Sequence, residues 1–242
     1  MTYPSSQTQK LSSSTESLQG KYSVYPQGVI HSPYYVIALT ISIIPLGLIV
    51  IFNRLKDIPV QHFMADPVAV MGQPFYLGFL SQLGIFIWSA MASVCLLTAQ
   101  TLPRRPGLYP IRQFFLGSGI LSLVLGFDDV FLLHEEVFPA YLGIPEMMVY
   151  ALYAGLTLAY LWQFRKIIRR TDYTLLVVAF VGFALSIGLD ILEPPYINPY
   201  FFEDGFKFIG LVAWSVYFWQ AATSFLRHHT EGVLPAGDDS LR

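Results

Sequence analysis

From Tyr34 onward the chain is a succession of nearly unbroken apolar stretches joined by short polar connections, unlike the alternating or one-faced patterns of soluble folds. A helix needs about 17 to 25 mostly apolar residues to cross a bilayer. Six stretches meet that requirement: 34–52, 75–102, 114–133, 147–164, 173–192 and 206–226. The pattern therefore predicts an all-α fold, a polytopic integral membrane bundle of six transmembrane helices. Pro45 falls within the first stretch, where lipid-embedded helices tolerate proline because neighbouring groups re-satisfy the freed carbonyl, and a kink is expected there.

The flanking segments have no apolar core of their own. Residues 1–33, rich in Ser and Gln, and residues 227–242 are expected to be mostly disordered tails on either side of one membrane domain, 34–226. The first apolar run begins too far from Met1 for a signal peptide. No long-period repeat is evident.

Composition agrees with the pattern. Of 242 residues, 54% are hydrophobic and 12% charged, with a mean hydropathy of +0.52. Soluble domains carry about 25% charged residues. The net charge of -2 argues against a nucleic-acid partner, which calls for a basic patch and a high pI. The lipid bilayer is the implied partner. Cys95, the single cysteine, lies among apolar residues, where a thiol packs rather than reacts.

Charge is distributed unevenly between the two sides. Lys10, Lys21, Arg104, Arg105, Arg112, Arg165, Lys166, Arg169, Arg170, Arg227 and Arg242 fall on the side shared by both termini; only Arg54, Lys56 and Lys207 are opposite. An excess of Lys and Arg marks cytoplasmic loops. The chain is thus predicted to be a multi-pass protein of the cell membrane or an internal membrane, with both termini cytoplasmic. The acids divide the other way, since Asp57, Asp66, Asp128, Asp129, Glu135, Glu136, Glu146, Asp190, Glu193, Glu203 and Asp204 map to the opposite face. Acidic residues contribute little to topology, so their concentration has another cause.

The densest group is the run 128–136, Asp-Asp-Val-Phe-Leu-Leu-His-Glu-Glu, at the end of a charge-free apolar stretch. Ionisable groups near membrane depth are costly to desolvate and mark functional sites by default. At 100° per residue, Asp128 and Glu135 share one helical face and Asp129 and Glu136 another. His134 joins the aspartates only if the helix ends or bulges between Asp129 and His134. Two further segments deliver acids to the same level, one through Asp190 and Glu193, the other through Glu203, Asp204 and Lys207. The last helix offers Glu203 with Lys207 as an i, i+4 pair in the favourable order. Between these two segments, prolines 194, 195 and 199 restrict the backbone to a rigid turn.

Carboxylates with an imidazole at the ends of bundled helices suit a divalent cation, so such a metal ion is the implied cofactor. Asp128, Asp129, His134, Asp190, Glu203 and Asp204 are the candidate ligands, Glu135 or Glu193 the general base for metal-bound water, and Lys207 a source of charge stabilisation. His62 is the only other histidine on that side. The leading expectation is a metal-dependent enzyme acting on a lipid or other membrane-borne small-molecule substrate. Two alternatives use the same residues: a small proton-coupled carrier whose acids titrate during a cycle, and a non-catalytic subunit or assembly factor whose cluster locks helices together. In the latter two, Lys207 is the counter-ion of Glu203, Asp204 or Asp190. The tyrosines near span ends, Tyr150 among them, fit an interfacial aromatic belt. Gly117 to Gly119, Ala151 to Gly155 and Gly182 to Ser186 are small-residue patches that let helices approach closely.

Overall fold

Six helices long and apolar enough to cross a membrane carry the fold: α1 Ser32–Lys56, α2 Phe79–Thr101, α3 Tyr109–Phe131, α4 Glu146–Ile168, α5 Thr174–Leu192 and α6 Pro199–Glu231. The structure, a computed structural model, describes residues 32–192 and 198–231. There is no strand among the described residues. The expected tails lie outside them, except that α6 continues as helix to Glu231. The prolines at 194 and 195 and Glu193 also lie outside the described residues.

The chain divides into two units, Met1–Phe75 and Tyr76–Arg242. The first holds α1, with Pro45 inside it, and two one-turn helices, Gln61–Met64 and Pro67–Val70. Asp66 has a local duty there: its carboxylate accepts from the Val68 and Ala69 amides at 2.8 and 3.2 Å, capping a helix that opens on Pro67.

In the second unit, α5 packs most extensively on α6, α2 on α3, and α2 on α6. Lipid tails are as apolar as leucine, so helices in a bilayer associate through close packing and hydrogen bonds rather than through exclusion of water. The sequence answers with glycine at the crossings. A Cβ on Gly182 would stand 2.8 Å from Gly210 Cα and from the Phe206 carbonyl, and one on Gly119 would stand 2.7 Å from Leu96. Between the helices sits an aromatic core of Trp88, Phe114, Phe115, Trp214, Tyr217 and Phe218. Trp214 lies 4.8 Å from Phe218 and 6.2 Å from Trp88, ring centre to ring centre, both edge-on as ring quadrupoles favour. The Trp214 indole N–H is satisfied by Ser122 Oγ at 3.0 Å.

Helix α4 is attached differently. Val149 and Ile168 are its only buried residues, and Leu152, Leu156, Leu158 and Trp162 are exposed, as a lipid-facing surface would be. Its hydrogen bonds to α3 and α5 come from tyrosines at 150, 153 and 160, beside the ring contacts of Tyr160 and Phe164 with Phe114. The three tyrosine positions recur on one helical face. Tyr160 meets Ser118 at 2.5 Å, Tyr153 donates to Asp128 at 2.8 Å and Tyr150 to Asp190 at 3.0 Å. These hydrogen bonds add to the apolar contact that Leu161, Phe164 and Ile168 make with the core.

The spans read from the sequence are all present, with shifted ends. Helix α3 begins at Tyr109, five residues before the apolar stretch, because a 3₁₀ turn over Pro106–Leu108 leads directly into it and Arg112 Nε donates to the Ala99 carbonyl at 3.0 Å. Helix α6 begins at Pro199, so Glu203, Asp204 and Lys207 all lie within its first turns rather than at its threshold.

Candidate functional site

The run 128–136 does not form a continuous α-helix. Helix α3 ends at Phe131, Leu132 adopts the left-handed conformation (φ 49°, ψ 46°), and a π-helical segment follows over Leu133–Leu142. The Leu132 amide donates to the Asp128 carbonyl, and the His134 amide donates to Asp128 Oδ1 at 3.0 Å. One aspartate thus caps both the end of one helix and the start of the next segment. In an uninterrupted helix, His134 would be about 240° around the axis from Asp128. The break at Leu132 brings its ring back, and Nδ1 forms a close ion pair with Asp128 Oδ2.

A left-handed conformation costs an L-residue with a Cβ roughly 1–2 kcal/mol. Leu132→Gly is therefore expected to be more stable than Leu132→Ala by about 1 kcal/mol in thermal unfolding. That order is the reverse of an ordinary helix interior, where glycine is about 1 kcal/mol the worse. Equal stabilities, or alanine the better, would show that the turn carries no such strain.

His134 is held from both sides. Its other ring nitrogen, Nε2, lies 3.3 Å from Glu135 Oε1, and its ring packs 5.1 Å from that of Tyr150. The side chains of Asp128 and His134 are 6% and 7% exposed, whereas that of Glu135 is 50% exposed. Burial opposes charge on the imidazole, but the hydrogen bonds to Asp128 and Glu135, with the attraction of both carboxylates, hold its pKa up to about 9. The bond to His134 in turn keeps the Glu135 carboxyl below its ordinary value. A buried carboxylate, an imidazole and a half-exposed carboxylate thus stand in series.

Asp129 turns to a different set of partners. Its Oδ2 accepts from Trp88 Nε1 at 2.8 Å and its Oδ1 pairs with Lys207 Nζ at 2.6 Å, tying α2, α3 and α6 together. Of the counter-ions anticipated for Lys207, neither Asp190 nor its own-helix neighbours Glu203 and Asp204 forms an ion pair with it among the described residues. Gly126, one turn before Asp129, makes room for the indole, since a Cβ there would lie 2.9 Å from Trp88 Cβ. Asp129 and Lys207 line a half-open cleft of about 50 Å³ with Asp204, Ser81, Gly84 and Leu80. That is room for about three or four water molecules.

The remaining candidates divide by distance. Asp190 is engaged by Tyr150. Glu203 lies within electrostatic reach of Asp190, Asp204, Lys207 and Glu135, and Asp204 within reach of Lys207, Glu135 and Asp129. The ends of α3 and α5 and the start of α6 therefore do meet at one site. Glu136 is exposed, and His62, Asp57 and Asp66 belong to the other unit. Among the described residues, no three of His, Cys, Asp and Glu converge as a metal would require. The oxygens of Asp128 face His134 and Tyr153, and those of Asp129 face Trp88 and Lys207. Sequence reasoning did not single out Trp88, Tyr150 or Tyr153 for this site. The recurrence of tyrosine on one face of α4 was the available signal for the latter two.

A family model for a domain of unknown function matches residues 36–221. No curated protein and no solved structure matches the chain.

Proposed function

The chain belongs to the DUF8692 family, a domain of unknown function, and on that premise we propose that this multi-pass membrane protein is a small proton-coupled carrier. The observation that carries the reading is the series Asp128, His134, Glu135, which leads from a buried carboxylate to a half-exposed one through both nitrogens of a single imidazole. An imidazole so placed receives a proton at one nitrogen and releases one from the other, the ordinary way histidine relays protons. Next to Asp128 in the chain, Asp129 forms a second charged pair with Lys207, which joins α3 to α6 and lines the cleft.

Solid-supported membrane electrophysiology on proteoliposomes tests this without a known substrate. An acidifying pH jump is expected to displace charge transiently in the wild-type protein, and the transient is expected to fall to the level of empty liposomes in His134→Gln and Glu135→Gln. Transients unchanged in both variants overturn the proposal. Stoichiometric metal in the purified protein, lost in the same variants, would favour instead the metal-dependent enzyme that the acidic run suggests.

A further inference from the structure

We propose that the π-helical segment Leu133–Leu142 is a hinged lid over the Asp128 carboxylate, turning about Leu132 and Gly143. The role of such a lid, admitting water to Asp128 at the buried end of the series, rests on the carrier reading given above; the motion itself does not.

Both ends of the segment are left-handed, Leu132 at φ 49° and Gly143 at φ 66°. Such residues reverse the path of the backbone, so the ten residues between them are a body distinct from α3 before them and α4 after them. Within that body, His134 is the one buried residue; Glu135, Glu136, Ala140, Tyr141 and Leu142 are exposed. The anchorage is equally narrow. It centres on His134, whose backbone amide and ring both bond the Asp128 carboxylate of α3 and whose ring packs on Tyr150 of α4. Pro139, inside the segment, lacks an amide hydrogen and interrupts the internal bonding. Segments with few buried contacts and exposed backbone open locally at far lower cost than packed helices. What the segment covers is polar. Asp128 is 5% exposed with the lid in place, and Tyr153, which donates to it, is part-buried beside it. Lifting His134 would leave Asp128 held by Tyr153 and open to water.

Gly143 offers a clean probe, because a Cβ built there meets nothing within 4 Å. Its replacement by alanine acts through backbone conformation alone. Hydrogen–deuterium exchange of the full-length protein in nanodiscs is the measurement. Amides of the lid are expected to exchange together and well ahead of those of α3 and α4. Gly143→Ala should speed that opening about fivefold, since the closed form now needs an alanine in the left-handed region. Leu132→Gly should slow it, while the exchange of α2 and α3 stays as in wild type. Mapping of Asp128 by a water-soluble carbodiimide should follow the same order. Lid amides that exchange only with α3 and α4, or that ignore both hinge variants, overturn the lid. Lid motion present in a protein without pH-jump transients would instead retain the lid and remove the carrier.

Discussion

Gly182→Ala should lower the unfolding free energy by about 2–3 kcal/mol, the upper part of the range for overpacking. At most crowded positions a flexible side chain can give way by a few tenths of an ångström. Here the atoms in the way are Gly210 Cα, Gly210 N and the Phe206 carbonyl, all within 2.9 Å of the added Cβ. Helices α5 and α6 must move apart as bodies, and theirs is the most extensive contact in the unit. Gly210→Ala, which meets the Ala179 carbonyl at 2.9 Å and the Phe183 ring at 3.0 Å, should behave alike. Gly155→Ala meets nothing within 4 Å and should gain slightly from alanine's better helix propensity. Cys95 is fully buried and the chain's single cysteine, so a thiol-reactive fluorophore reports unfolding directly. If Gly182→Ala and Gly155→Ala melt together, the close crossing of α5 and α6 is wrong.

Asp128→Asn is expected to cost about 3 kcal/mol at neutral pH, because removing one partner of a buried ion pair leaves the other uncompensated. The Asp128 and His134 side chains are both under a tenth exposed, so solvent screens the pair little. Glu135→Gln, at a half-exposed carboxylate, should cost under 1 kcal/mol. The pH dependence has a defined sign. The folded-state imidazole titrates at about 9 against an ordinary 6.5, so its contribution is complete below 6.5 and fades as pH rises through 9. The gap between wild type and Asp128→Asn should therefore be wide at neutral pH and narrow on the alkaline side. Titration of His134 by NMR should show its pKa falling by more than one unit in Asp128→Asn. An unchanged titration would mean that Asp128 does not hold the imidazolium.

The spans were legible because a lipid-facing helix announces itself by the length of its apolar run, which needs no knowledge of its neighbours. Their ends were less so. Tyr109 to Arg112 are helical through the preceding 3₁₀ turn and a contact with the Ala99 carbonyl, information that a hydropathy window does not contain. The candidate site was legible as a level and not as a set of pairs. Periodicity places Glu203 and Lys207 on one face of α6, yet Lys207 reaches across to Asp129, because the helix opposite is a tertiary fact. Residues 128–136 contain neither glycine nor proline, so nothing local marks Leu132 as the point where the helix stops. The condition for His134 to join the aspartates could be stated from geometry alone. Whether it was met depended on Asp128 accepting two amide or ring donors from beyond the break.

The pairing of Asp129 with Lys207 also bears on how the chain is made. The spans differ in their own affinity for lipid, with hydropathies of 2.6 for α1 and 2.5 for α5 but 1.2 for both α4 and α6, the latter carrying Glu203, Asp204 and Lys207 near its start. A helix of that kind enters a bilayer more readily when an earlier one offers it a polar partner. Until α6 has been synthesised, α3 holds Asp129 without an ammonium group, and its arrival neutralises that charge. In a nascent chain that has not yet reached Lys207, Asp129 has the Trp88 indole as a partner and no ammonium, so the tie between α3 and α6 closes only when the last helix is in place.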